Sequence, residues 1–446
     1  MTDTTPVAAD ARTAHRLARA ALSRLAEPQD VVAGALIAVA GPVDALRVAT
    51  GAVRSGPRLE RAVADQLGRH DDGPALVAAA VQRWAARVPA LAPERDLTVL
   101  DRLGGWLLTP EDEAWPAGLA DLGPEAPLCL WGRGQPADAL PATARAVAVV
   151  GARDSTAYGE AISADLAHGL VSAGCTVVSG GAFGIDAQAH RGALAAHGSR
   201  SARDAANRAA GPAMPTVAVM ACGVDRFYPA AHETLLRAVL AEGCLLAEVP
   251  PGSSPTRWRF LQRNRLIAAL SGVTVVVEAR WRSGALNTAH HAAGLGREVG
   301  AVPGSVHAST SAGCHRLLRE SDAVCVTDVE DVLALLDPFR LPALPAAGQA
   351  GRDPDESTSV GPPGNHPPGV ALPVRSAPPA AHDGLSAQDL ILYDALPMRT
   401  GSTTARLASV AGLSEPMVRA GLGRLSLRGL AVTMNGSWRK GGATRG

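Results

Sequence analysis

Two short apolar runs, each ending in a loop of small residues, constrain the fold of this chain most. Val147–Val150 stops at Gly151, and Cys175–Val178 runs into Gly180 and Gly181. Continuous apolar runs of this kind are typical of buried parallel strands, and a helical segment follows each loop. In a doubly wound sheet such loops lie side by side at the ligand crevice, where backbone N–H groups and helix N-termini favour phosphate. The sequence therefore predicts a phosphate-binding α/β domain.

The residues around these loops exclude two common nucleotide-binding fingerprints. Gly-x-Gly-x-x-Gly is missing after the first run and no acidic residue ends the second, which excludes a dinucleotide-cofactor site. No Lys-Ser/Thr follows Gly180–Ile185, so this is not a Walker A loop. Instead, Arg153 stands two residues after Gly151, where a guanidinium can bind a phosphate through two hydrogen bonds. An ordinary strand–helix turn with a surface arginine is the alternative interpretation.

The most basic passage of the chain runs from Ser253 to Val277 and contains no acidic residue. Its basic and aromatic residues alternate: Arg257, Trp258, Arg259, Phe260, Arg263 and Arg265. Such alternation suits a single nucleic-acid strand, whose phosphates and unstacked bases are both exposed. Upstream, Arg226 can contact a phosphate, and Phe227 or Tyr228 can offer a ring to a base, although Tyr-Pro at the start of a helix also serves plain packing. A helix N-terminus with solvated arginines is the alternative for the basic passage.

Five motifs follow one another between Val150 and Ala289: V-G-A-R, S-G-G-A-F-G-I-D-A-Q-A-H, G-V-D-R-F-Y-P, R-N-R-L-I-A-A-L-S and S-G-A-L-N-T-A. In this order they resemble the DNA-processing protein A family (DprA, also called Smf), over about Gly104 to Val332. The resemblance implies an extended Rossmann-like α/β fold with a doubly wound, mostly parallel sheet. It also implies a cytoplasmic homodimer that binds single-stranded DNA and loads the recombinase RecA onto incoming DNA in natural transformation.

The resemblance and the loops together give a set of expected DNA-binding residues. Arginines would hold phosphates, and the glycine loops would add backbone amides. The set is Gly151, Arg153, Gly180, Gly181, Arg226, Phe227, Arg257, Arg263, Asn264 and Arg265.

Catalysis is the main alternative to plain binding. Asp186 and His190 stand four apart on one helix face, a spacing that serves a metal or a general base. Asp186 also begins a helix, where a carboxylate caps free amides, and no third ligand has an obvious place. A Rossmann-like nucleotide phosphoribohydrolase would be the enzyme, but its P-G-G-x-G-T-x-x-E signature is absent. We therefore expect no catalytic residue, no metal and no cofactor.

Composition divides the chain into four parts. We expect an N-terminal helical (SAM-like) domain at 1–98, the Rossmann-like domain at 99–337, a Pro/Gly-rich linker at 338–384 and a winged helix at 385–446. Ala26–Asp30 replaces the glycine-rich hairpin that the resembled family can carry, so we interpret the first domain as structural. The linker predicts that the last domain moves independently. That domain is locally basic and suits either duplex DNA or a protein, which makes a winged-helix transcription regulator the second alternative function.

Charge and cysteine content bound the remaining possibilities. Lys and Arg number 42 and Asp and Glu number 42, so a nucleic-acid surface must be a local patch. The 6 cysteines form no C-x-x-C pair, which favours core thiols over zinc or disulfides. No leader-like segment opens the chain and no apolar run reaches membrane-spanning length, so we expect a cytoplasmic protein without a membrane partner.

Overall fold

The computed structural model describes residues 6–70, 72–203, 214–337, 385–397, 401–411, 413–434 and 436–441. The expected linker at 338–384 and most of a mildly basic insertion around 199–215 lie outside these residues. Five helices open the described chain: α1 (Pro6–Leu25), α2 (Val31–Ala49), α3 (Pro57–Gln66), α4 (Gly73–Ala85) and α5 (Pro93–Arg102). Proline stands in the first turn of α3, α4 and α5, where its missing N–H has no intrahelical partner to lose.

Helix α2 is long and apolar enough to cross a membrane, judged by length and composition alone. From the sequence we expected no apolar run of membrane-spanning length, and α2 is the one helix of the described residues that meets this test. Gly41, with a φ of 77°, and Pro42 break the helical path inside α2. Leu36 of α2 packs in the same core as Leu22 of α1 and Trp84 of α4, which is the environment of a core helix.

A nine-stranded sheet forms the centre of the molecule. Its strands are β1 (Gly105–Leu108), β2 (Leu130–Gly134), β3 (Ala146–Val150), β4 (Thr176–Ser179), β5 (Thr216–Met220), β6 (Cys244–Ala247), β7 (Val273–Val276), β8 (Glu298–Ala301) and β9 (Val324–Cys325). The spatial order is β1-β2-β6-β5-β4-β3-β7-β8-β9. All pairs from β6 to β9 in this order are parallel, whereas β1–β2 and β2–β6 are antiparallel. The predicted α/β, mostly parallel sheet is confirmed.

Helices cover both faces of the sheet. They are α6 (Ala157–Ser172), α7 (Ile185–Arg203), α8 (Glu233–Glu242), α9 (Arg257–Leu270), α10 (Gly284–Gly294), α11 (Ala312–Glu320) and α12 (Val329–Leu336). Val147 and Val149 of β3 face a core with α6, α7 and α12, while Ala148 and Val150 face a core with α9, α10 and α11. This alternation follows from the two-residue period of a strand, and it makes β3 apolar throughout.

Strand order reverses at β3, because β4, β5 and β6 continue the sheet on one side and β7, β8 and β9 on the other. The loops that follow β3 and β7 therefore diverge to opposite faces and leave a crevice between them. The sequence analysis instead placed the ligand between the loops that follow β3 and β4, so only the loop after β3 is common to the two.

Three helices and a hairpin end the described chain: α13 (Ala387–Ala395), α14 (Thr404–Ala411), α15 (Glu415–Leu427), β10 (Ala431–Met434) and β11 (Ser437–Lys440). They share a core that includes Leu392, Leu407 and Leu422. Helix α13 also packs against α9, and Arg87 Nη2 lies 3.4 Å from the carbonyl oxygen of Val410. These contacts depart from the expectation that this part of the chain is independent of the rest.

Candidate nucleic-acid interface

A cavity of about 890 Å³ lies at the carboxyl ends of β3 and β7, with α9 as one wall. Most of the charged side chains that line it are basic: Arg153, Arg257, Arg263, Arg280, Arg282 and Lys440. Its two carboxylates, Asp154 and Asp186, already pair with Arg280 and Arg263. The cavity is therefore electropositive, although the chain as a whole carries a formal net charge of +0.

The loop after β3 is shaped by Gly151 and Glu278. A Cβ on Gly151 would lie 2.5 Å from Cγ1 of Ile185, so no side chain fits there. Ala152 N donates to the carbonyl oxygen of Glu278 at 2.7 Å. The buried Glu278 carboxylate accepts from Thr156 N at 2.8 Å and from Thr156 Oγ1 at 2.7 Å. Two amides of this loop therefore bind Glu278, and Gly151 contributes by giving space for a tight turn.

Arg263 is a buried guanidinium with too few partners. The residue is only 6% exposed, and neither Nε nor Nη1 has a hydrogen-bond partner among the described residues. Its nearest carboxylate is Asp186, with Nη2 at 3.5 Å from Oδ2. Burial lowers the pKa of the guanidinium, but an arginine remains charged at physiological pH. A buried cation in this state is costly unless an anion joins it, and the cavity beside Arg263 has room for one.

Gly180 is the residue that makes room for Arg263. A Cβ at this position would lie 1.4 Å from Nη1 of Arg263, which no small adjustment could relieve. Gly181 adopts a φ of 65°, in the left-handed region that glycine tolerates best. Neither glycine is among the described residues that line the cavity. The sequence predicted phosphate-binding backbone amides at Gly180. In the structure this glycine instead leaves the space that the Arg263 side chain occupies.

Arg153 and Arg263 both lie near the ring of Phe260. The guanidinium carbon of Arg153 lies 4.8 Å from the centre of the Phe260 ring, and that of Arg263 lies 6.0 Å from it. The ring of Tyr228 lies 5.7 Å from the same ring. Arg153 is exposed, and Arg257, in the first turn of α9, is exposed as well. Both line the cavity, and as exposed side chains they can move to meet a ligand.

Arg265 does not face the cavity. It is 0% exposed and forms a two-fold ion pair with Glu248, with Nη1–Oε2 and Nη2–Oε1 distances of 2.8 and 2.6 Å. Its Nε donates to the carbonyl oxygen of Glu125 at 2.9 Å. The expectation that Arg265 holds a phosphate is wrong, because its guanidinium is already bonded and closed off from solvent. Asn264 lines the cavity, and its Nδ2 donates to Asn287 Oδ1 at 3.1 Å.

Arg226 and Phe227 lie outside the cavity. The Phe227 ring packs between two guanidinium groups, 5.7 Å from that of Arg133 and 4.7 Å from that of Arg237. Arg226 Nη2 contacts the carbonyl oxygen of Gly252 at 3.4 Å. The structure thus does not bring these two residues together with Arg153 and Arg263. Tyr228, the next residue, is 42% exposed and lines the cavity instead.

Arg259 is also unavailable, because it is held by the N-terminal helices. Its Nε and Nη2 contact the Glu27 carboxylate at 2.9 and 3.0 Å, and Arg87 pairs with the same carboxylate. Burial alone would raise the pKa of Glu27, but Arg259 and Arg87 outweigh it and lower the pKa to about 2. The turn at Ala26–Asp30 therefore anchors the start of α9.

Asp186 and His190 do not form a catalytic pair. His190 is 0% exposed, and its Nδ1 lies 2.7 Å from Thr216 Oγ1. Burial, with Arg263 nearby, lowers the pKa of His190 to about 3, so its ring is neutral. Asp186 lines the cavity and pairs with Arg263, whereas His190 is not among the described residues that line it. No group of three or more His, Cys, Asp and Glu residues suited to a metal occurs within the described parts of the chain.

Among the basic and aromatic side chains that line the cavity, sequence reasoning missed four: Arg280, Arg282, Tyr393 and Lys440. Arg280 and Arg282 follow β7, and Arg280 Nε donates to Asp154 at 2.8 Å. The position of both directly after the carboxyl end of a parallel strand is a signal that could have found them. Tyr393 and Lys440 come from α13 and β11, and only the folded structure brings them here.

Known proteins resemble this chain in sequence and fold. The profile of the family described as DNA recombination-mediator protein A matches residues 106–337. A putative DNA processing protein DprA from Mycobacterium tuberculosis is 39% identical over 428 residues, which cover 94% of this chain and 92% of the relative. The DNA processing protein DprA of Streptococcus pneumoniae is 38% identical over 188 residues, 42% of this chain and 60% of that protein. An X-ray structure of DprA from the same species has a TM-score of 0.50 at 29% identity, covering 65% of this chain and 95% of that one.

Proposed function

Because this chain belongs to the DNA recombination-mediator protein A family, we propose that it binds single-stranded DNA in the cavity at the carboxyl ends of β3 and β7. It is a DNA processing protein of that family. The strand would be bound by the cations that line the cavity and by the aromatic rings between them.

The observation that carries this proposal is the unsatisfied guanidinium of Arg263. Nε and Nη1 are buried donors without a partner among the described residues, on a side chain that faces the cavity. A phosphate oxygen is the acceptor that best satisfies such donors, because it brings both a negative charge and hydrogen-bonding geometry. The guanidinium of Arg153 lies 4.8 Å from the centre of the Phe260 ring and would bind the same or the neighbouring phosphate.

A single strand fits this site better than a duplex does. Phe260 and Tyr228 present rings beside the guanidinium groups, and a single strand offers unstacked bases that can pack on such rings. In a duplex the bases stay stacked inside, and the backbone would have to enter the cavity to reach Arg263. Arg257 and Arg282 line the same cavity and would contact the strand on either side.

Membership of the family supports the finer parts of the proposal. The protein would act in the cytoplasm as a homodimer, without catalysis and without a cofactor. It would load the RecA recombinase onto incoming single strands during natural transformation and so mediate recombination in competence. A nucleotide phosphoribohydrolase is less well supported, because Asp186 is paired with Arg263 and His190 is buried against Thr216.

The proposal assigns a part to each region of the chain. Residues 1–98 would form a helical domain with a structural role, supported by the contact of Glu27 with Arg259. Residues 99–337 would form the Rossmann-like domain that carries the cavity. Residues 338–384 would be a linker, and 385–446 a winged helix, supported by three helices and a hairpin around one core.

Replacing Arg153 by alanine should weaken binding of a single-stranded oligonucleotide by about 1.5–3 kcal/mol, the scale of a hydrogen bond to a charged group. The free energy of unfolding should change by less than about 0.5 kcal/mol, because Arg153 is exposed. Arg153→Lys should restore binding only partly, because lysine keeps the positive charge but lacks the planar guanidinium that donates two hydrogen bonds to one phosphate. Fluorescence anisotropy and thermal unfolding measure the two quantities.

Arg47→Ala is the matched control for Arg153→Ala. Arg47 has a 59% exposed side chain paired with Asp44 on α2, and its removal should leave DNA binding unchanged. If Arg153→Ala binds DNA as the wild type does, or if it unfolds the protein, the cavity is not the strand-binding site.

A further inference from the structure

Two of the described residues near the end of the chain line the cavity. Tyr393 of α13 and Lys440 of β11 line it, and Nζ of Lys440 lies 4.4 Å from the centre of the Tyr393 ring. Helix α13 packs against α9, the helix that carries Arg263. One side of the cavity is thus formed by Tyr393 and Lys440, which belong to the C-terminal helices and hairpin and not to the domain of the nine-stranded sheet.

The charge of Lys440 is informative. Among the described residues, five arginines line the cavity, and its two carboxylates are paired with Arg263 and Arg280. Lys440 adds a further cation to this lining. A polyanion in the cavity would therefore be attracted from several sides.

We infer that Lys440 and Tyr393 complete the single-strand site, with Lys440 binding a phosphate of the strand and Tyr393 supporting a base next to it. The inference rests on the proposed function of the cavity. It adds that the C-terminal helices and hairpin take part in strand binding. DNA in the cavity would then contact α9 and these elements at the same time.

The alternative is that the C-terminal elements obstruct the cavity and compete with DNA. A segment that competes for a cationic site is expected to present carboxylates, because these can replace the phosphates. Among the described residues, the two that these elements contribute to the lining are a cation and an aromatic ring, the combination that binds single strands. Their chemistry therefore favours participation over competition.

The first test is the salt dependence of oligo-dT binding to the full-length protein. Lys440→Ala should weaken binding about 3- to 10-fold and make the slope of log affinity against log salt shallower by about 0.7, the value for one phosphate contact on a single strand. Lys440→Arg should retain both values. Arg419→Ala is the matched control, because Arg419 is a 71% exposed cation on α15 that does not line the cavity among the described residues.

The second test uses the fact that Lys440 is the only lysine in the sequence. An oligo-dT with one aldehyde-bearing nucleotide forms an imine with a nearby primary amine, and cyanoborohydride reduces this imine to a stable amine. Peptide mapping should place the adduct at Lys440. The α-amino group of the chain is the other primary amine, and an adduct there is identified separately by the same mapping. Excess plain oligo-dT and the Arg263→Gln substitution should each suppress it.

The outcomes separate this inference from the proposed function. One outcome is that the wild type binds oligo-dT but forms no adduct at Lys440, and that Lys440→Ala binds oligo-dT equally well. In that case the inference is overturned and the proposed function stands. If Lys440→Ala binds more tightly than the wild type, the C-terminal elements obstruct the cavity, and the inference is again overturned. If the wild type does not bind oligo-dT, both fail together.

Discussion

Replacing Glu248 by alanine is expected to lower the free energy of unfolding by about 3–5 kcal/mol, the cost of leaving one partner of a buried ion pair uncompensated. Arg265 is 0% exposed, and Glu248 is its only carboxylate partner among the described residues. Without Glu248 its charge would remain in the core between β6 and α9. Chemical denaturation of the variant and the wild type measures the difference.

Two further variants isolate the cause. Glu233→Ala removes an exposed pair with Arg237 on α8, and its effect should stay below about 0.5 kcal/mol. The double change Glu248→Leu with Arg265→Met should recover most of the lost stability, because apolar side chains of similar volume can replace a buried ion pair. A small effect of Glu248→Ala alone would mean that Arg265 reaches solvent, and the phosphate role expected from the sequence would then be open again.

Replacing Arg263 by glutamine should weaken binding of single-stranded DNA by about 2–5 kcal/mol, the range for removing one partner of a buried, hydrogen-bonded charge pair. Stability should change by less than about 1 kcal/mol, because Nε and Nη1 have no partner to lose among the described residues and the Asp186 contact is long at 3.5 Å. Anisotropy titrations and denaturation of the same preparations measure the two effects. A large loss of stability with unchanged DNA binding would make Arg263 a structural residue.

Gly180→Ala tests the same role without changing any charge. The new Cβ would coincide with the Arg263 guanidinium, so this side chain must move and DNA binding should fall as in Arg263→Gln. Gly198→Ala is the control, because a Cβ at this exposed position of α7 meets nothing within 4 Å. Normal binding by Gly180→Ala would contradict the proposed part of Arg263.

The sheet is the part of the fold that local sequence predicts best. The apolar runs Val147–Val150 and Cys175–Val178 match β3 and β4 to within one residue at each end, because a strand buried on both faces leaves an uninterrupted apolar signal. The segment Leu130–Gly134 is not predicted as a strand, because in the sequence Leu130 and Trp131 look like packing residues that cover a sheet edge. It is β2, which pairs antiparallel with β6. Three of its five residues are glycine or charged, so its sequence carries little strand signal.

The functional residues were identified as a group, but their individual roles were not. Arg263, Asn264 and Arg265 are consecutive on one helix, and consecutive helical residues point in different directions. One motif therefore supplies a cavity cation, an amide that holds Asn287, and a buried ion pair. The same holds for Phe227 and Tyr228, where only Tyr228 lines the cavity.

The positions of Tyr393 and Lys440 beside the cavity could not be predicted from the local sequence pattern. Nothing in the sequence around either residue distinguishes it from an ordinary residue of a small helical module. Their place beside Arg263 depends on how α13 packs against α9, which is a tertiary contact. The Pro/Gly-rich composition of 338–384 instead favoured separation of the two parts.

A titration of the full-length protein with oligo-dT, a duplex of equal length and a nucleoside monophosphate, repeated over a range of salt, tests the central claim most directly. The proposed site predicts length-dependent binding of the single strand, tighter than that of the duplex. If about four phosphates are neutralised, log affinity should fall with log salt at a slope of roughly −3. Tighter binding of the duplex, a flat salt response, or binding of the monophosphate as tight as that of the oligonucleotide would contradict a single-strand site in this cavity.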